Sequence, residues 1–90
     1  MMAKTKGKYQ TDFKTYEEFE KVFDFIPAKD RYEWAENLDP NLLRIENEDG
    51  LTVAHELARK GTLPEKFVTD ELLRMKDNDG STVAHLLAES

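Results

Sequence analysis

Between Thr15 and Pro27 the sequence TYEEFEKVFDFIP places Tyr16, Phe19, Phe23 and Ile26 at three- and four-residue steps, with Val22 beside them. Glu17, Glu18, Glu20 and Lys21 fall on the other side, and this alternation predicts an amphipathic helix. Thr15 supplies an N-cap with Glu18 three residues on, a capping-box spacing, and Pro27 ends the helix. A second helical stretch, AKDRYEWAENL, carries Tyr32, Trp34, Ala35 and Leu38 as its apolar members. In DPNLLRI, Asp39 is placed as an N-cap and Pro40 at the first helical position, where the missing N–H leaves no bond unmade.

Beyond Leu42 the pattern repeats. Residues 42–58 and 72–88 are identical at eleven of seventeen positions, including Leu42/Leu72, Asp49/Asp79, Gly50/Gly80, Thr52/Thr82, His55/His85 and Ala58/Ala88. A fixed period of 30 residues in a 90-residue chain is the signature of a stacked repeat. Each unit opens on an Asp-Gly turn, where glycine accepts a positive φ. Thr52 and Thr82 then cap short helices with narrow apolar stripes, Val53, Ala54, Leu57 and Ala58 in one and Val83, Ala84, Leu87 and Ala88 in the other. The alanines let neighbouring helices approach closely. Between the units, KGTLPEKFVTDELLRM reads as a glycine C-cap at Gly61, a turn begun by Pro64, and a second short helix capped by Thr69 and anchored by Leu72, Leu73 and Met75.

These residues predict three segments. They are a disordered basic tail over 1–10, an aromatic-rich helical cap over 11–41, and two repeats over 42–90, the second incomplete. Eight of the nine aromatics lie at or before Trp34, and only Phe67 falls in the repeats. Two stacked units leave an open end, so the aromatic segment reads as a cap over it.

The motifs DGLTVAHELARKGTLP and DGSTVAHLLAES resemble the ankyrin repeat in the Asp-Gly turn, the Thr-x-x-His tetrad, the alanines and the Gly-x-Leu loop. The likeness covers about half of the chain, residues 42–90, and is to the divergent TVAH kind of bacterial and phage proteins. Val53 and Val83 stand where the family tetrad has proline, Ala54 and Ala84 where it has leucine, and the shorter period calls for a shortened second helix. The resemblance implies an all-α fold, a short ankyrin-like helical repeat stack with an N-terminal helical cap. It also implies a binding module that presents turn tips and first helices along one face. Gly50, Thr52, His55, Gly80, Thr82 and His85 then hold structural repeat positions. Each imidazole is expected to bond the threonine side chain and turn backbone and so join adjacent repeats.

Charge adds a partner. The formal net charge is −6, and with Lys4, Lys6 and Lys8 in the first eight residues the remainder carries −9. Such a body repels nucleic acid and attracts a basic protein surface. Expected contacts are Glu46, Glu48, Asp49, Leu51, Glu56, Asp77, Asp79 and Leu86. Leu86 takes the place of Glu56 and adds apolar surface to the last helix, to be covered by the aromatic N-terminal helices folding back so that Leu86 meets Phe19 and Phe23, by a homodimer through Leu86 and Leu87, or by a partner. No nucleophile with a base, no pair of carboxylates in contrasting surroundings and no histidine pair at metal spacing is visible, so no catalytic residue, metal or cofactor is expected. The absence of cysteine and of any long apolar run suits a soluble cytoplasmic protein. Size and charge suit an inhibitor that occupies the basic surface of a host or defence enzyme, as in an anti-CRISPR or similar anti-defence role. The alternative is a homo-oligomeric assembly protein.

Overall fold

The computed structural model describes residues 9–90, so the basic run of the expected tail lies outside the described residues. Its last two residues do not fit a disordered tail. The Tyr9 hydroxyl donates to Asp30 at 2.8 Å, and the Gln10 carbonyl accepts the Trp34 indole N–H at 2.7 Å.

Helix α1 spans Tyr16–Phe25 and α2 spans Ala28–Glu36. Thr15 Oγ1 accepts from the Glu18 amide at 3.1 Å, while Glu18 reaches back to the Lys14 amide at 2.7 Å, one residue upstream of the usual capping-box donor. Ile26 turns extended ahead of Pro27 and closes α1. The aromatic residues of this segment pack on one another. Phe19 lies with its ring centre 5.4 Å from Phe13, 5.4 Å from Tyr16 and 5.3 Å from Phe23, in tilted or edge-on geometries that suit the ring quadrupoles. Trp34 stacks behind them, and Arg31 sits over the Phe23 ring at 4.2 Å. Tyr32, expected among the apolar members, is exposed instead, and its hydroxyl accepts from the Glu65 amide at 3.2 Å. That bond ties α2 to the loop between the repeats.

Asp39 caps the next element through the Asn41 amide at 2.9 Å, but Pro40–Arg44 winds as a tight 3₁₀ helix and not an α-helix. The first repeat helix, α3, is Val53–Arg59. It ends in a Schellman motif: Thr62 N donates to the Leu57 carbonyl at 2.8 Å and Gly61 N to Ala58 at 3.1 Å, with Gly61 at φ +73°. A 3₁₀ turn at Glu65–Phe67 follows Pro64, and Thr69 caps α4, Asp70–Leu73, through the Leu72 amide at 3.2 Å. Helix α4 is only 4 residues long. The second repeat helix, α5, is Val83–Glu89.

The described residues contain no named strand, and the fold is all-α. Each repeat turn is closed by one antiparallel bridge, Glu46 with Thr52 and Lys76 with Thr82. A single apolar cluster runs unbroken from Phe13, ahead of α1, to Val83 in α5. Helix α3 is enclosed on every side: Val53, Ala54, His55, Leu57 and Ala58 are all 0% exposed. In α5 only Val83 is buried. One helix has neighbours before and behind it, and the other has a neighbour on one side. No helix among the described residues is long and apolar enough to cross a membrane.

Candidate functional site

The two repeat turns are built by the same hydrogen bonds. Asn47 Oδ1 accepts from the amides of Asp49 (2.9 Å) and Leu51 (3.0 Å), and Asp77 Oδ1 accepts from Asp79 (2.9 Å) and Ser81 (2.9 Å). A carboxylate and an amide oxygen do one job here, which is why letter-by-letter identity passes over positions 47 and 77. Asp77, expected as a partner contact, is therefore occupied in holding its own turn. Gly50 and Gly80 sit at φ +77° and +85°, the left-handed region that a side chain would strain.

The histidines hold equivalent places with unequal surroundings. In α3, His55 Nδ1 lies 2.7 Å from Thr52 Oγ1 and accepts from the Thr52 amide at 3.2 Å, completing a capping box. Since that backbone N–H can only donate, Nδ1 is the acceptor and the proton resides on Nε2. Nε2 then donates to the carbonyl of Ser81 in the next repeat, 3.2 Å away. His85 builds the same box on Thr82, with Nδ1 2.9 Å from Oγ1, but is exposed. The expected link between repeats is made by His55 alone among the described residues.

Glu46, Glu48 and Asp49 are exposed at the first turn. Folding brings them beside the start of α1, where Thr15, Tyr16, Glu17 and Glu20 complete a groove of about 660 Å³. No basic side chain is among the described residues that line it. Glu17 and Glu20 face away from the core in the helix pattern, so sequence spacing marks them as solvated, and their alignment with a turn thirty residues onward is tertiary. The floor includes Tyr16, only 5% exposed. Burial pushes its phenol upward, and the Glu56 and Glu20 carboxylates add to the effect.

Two other expected contacts are placed differently. Glu56 is 8% exposed, and its carboxylate is held by Arg59 at 2.6 Å, so it serves the interior edge of α3 beside Tyr16 and offers no contact surface. Leu86, its counterpart in α5, is half-buried and packs against the chain's own core. Leu51 is half-buried at the turn, and Asp79 is exposed at the tip of the second turn.

Because Tyr16 is held above the ordinary tyrosine value of 10.0, its neutral form is favoured in the folded state. Its contribution is intact below about pH 10 and declines as pH rises further, since the unfolded phenol ionises first. Chemical denaturation should show stability falling as pH rises above about 10, with a smaller fall in Tyr16→Phe. Identical pH slopes in the two proteins would mean that Tyr16 ionises as readily folded as unfolded.

Comparison with protein-family models, with curated proteins and with solved structures finds no match to this chain.

Proposed function

We propose that this protein is a binding module, an ankyrin-like repeat stack closed by an aromatic cap, that seats a lysine- or arginine-rich segment of another protein. The observation that carries this reading is the groove between α1 and the first repeat turn, where Glu17, Glu20, Glu46, Glu48 and Asp49 line one concavity. Among the described residues no group of acidic or histidine side chains is gathered closely enough to hold a metal ion. Carboxylates strung along a groove suit a succession of cationic side chains better than a single ion. Potentials of one sign in a concave site raise the association rate and select against like-charged partners. A module of this kind acts by occupancy: a basic segment lodged in the groove is withdrawn from any phosphate it would otherwise bind. That is the action of an inhibitor of a nucleic-acid-handling or defence enzyme.

A fluorescein-labelled nona-arginine peptide followed by anisotropy tests the groove. Binding should weaken steadily with added salt. Charge reversal of Glu46, Glu48 and Asp49 to Lys should weaken it by about tenfold or more. Reversal of Asp24, Glu33 and Glu36 changes net charge equally and should weaken it far less. Both variants should melt within a few degrees of the wild type, because exposed charges contribute little to folding. Equal weakening in the two variants would reduce the effect to net charge and remove the groove as a site.

A further inference from the structure

Repeat 1 displays what its trailing face is made to hold. Asn78 inserts between the turns, its backbone N–H donating to the Asp49 carbonyl at 2.8 Å and its side-chain amide to the Glu48 carbonyl at 3.1 Å. His55 Nε2 donates to the Ser81 carbonyl at 3.2 Å. A methyl group at Gly50 would meet Asn78 Oδ1 at 2.6 Å, so the lack of a side chain there is what lets the turns close on each other. At about 100° per residue, Ala54 and Ala58 lie opposite Glu56, which borders the cap, and hence face α5. Both are 0% exposed.

Repeat 2 carries the same set, unoccupied by any described residue. The counterparts of the Glu48 and Asp49 carbonyls are those of Asn78 and Asp79, and no donor among the described residues reaches them. His85 has Nδ1 engaged by the Thr82 amide at 3.3 Å, so its Nε2 carries a proton directed as that of His55 is. Nothing lies within 4 Å of the position a Gly80 side chain would take. Ala84 and Ala88 are exposed where Ala54 and Ala58 are sealed. Two acceptors, one donor, a cleared glycine and two small residues recur in the arrangement that already binds one partner within the chain.

We infer that the trailing face of repeat 2 is a docking site for the leading face of a further repeat unit. Such a unit is a turn with an asparagine at the position of Asn78, followed by a carbonyl placed as that of Ser81 and a short small-residue helix. The face continues an interface whose bonding is fixed one unit earlier. A second copy of this chain does not fit, because both of its leading faces are taken: that of α3 by the cap and that of α5 by repeat 1. This surface is separate from the acidic groove and does not depend on it.

The probe is the full chain followed directly by a second copy of residues 61–90. If the face is a seat, the added unit folds on it. The extended protein then melts in one transition at higher temperature, and the amide of the added asparagine is protected from hydrogen exchange at least tenfold more than in a free peptide. Ala84→Glu in the extended protein should abolish that protection, while the same substitution in the original chain, on an exposed position, should leave its melt nearly unchanged. An added segment that exchanges like free peptide overturns the inference. So does sedimentation showing that the original chain self-associates and that Ala84→Glu disperses it, which would assign the face to a second copy.

Discussion

Replacing Trp34 with alanine should remove about 3–5 kcal/mol of stability, the usual cost of deleting a large aromatic from a packed interior. For a chain of this size, with total stability of about 5–13 kcal/mol, that is a large fraction of the whole. Trp34 is 0% exposed, and its ring centre lies 6.3 Å from Phe19 and 6.1 Å from Phe23. Its indole N–H holds the Gln10 carbonyl, so the substitution also releases the strand of chain leading into α1. Urea denaturation followed by circular dichroism measures the loss. Because one apolar cluster joins the cap to the repeats, a single transition should move as a unit. A loss below about 1 kcal/mol, or a separate early transition leaving the repeat helices intact, would show that the cap folds apart from the stack.

The second large effect is a contrast between identical residues. His55→Ala should cost about 2–4 kcal/mol, because it breaks the capping box and also strands the Ser81 carbonyl and the Thr52 amide in an enclosed site. His85→Ala breaks only the box, at an exposed position, and should cost about 1 kcal/mol or less. At about 4–8 °C per kcal/mol for a domain of this size, the two melting temperatures should be well separated. Equal losses would mean that the imidazole serves its own helix alone and does not join the repeats.

What the sequence made legible was what depends on residues close together in the chain. Thr52 and His55 stand three apart, Thr15 and Glu18 likewise, and Gly61 follows its helix directly, so caps and turns follow from short-range chemistry. The all-α class and the helices flanking each turn follow from apolar spacing. Burial did not follow, because it depends on what comes before and after. His55 and His85 share their letter, slot and local bonds, yet one is sealed and the other is open. Glu56 is charged and still lies inside, since Arg59 is one turn along to pair with it. Tyr32 has an apolar helix position but turns outward to meet Glu65. The groove was half visible: Glu46, Glu48 and Asp49 cluster in sequence, while Glu17 and Glu20 join them only through the packing of α1.

Helices α1 and α2 precede the repeats in the chain, and each repeat leans on the element before it. Synthesis from the amino end therefore delivers each element to a seat already in place: the aromatic pair α1 and α2 first, then α3, then α5. Asn78 and Ser81 emerge after the Glu48 and Asp49 carbonyls and the His55 ring that receive them. A chain ordered this way can assemble vectorially as it leaves the ribosome, each element docking on one already made.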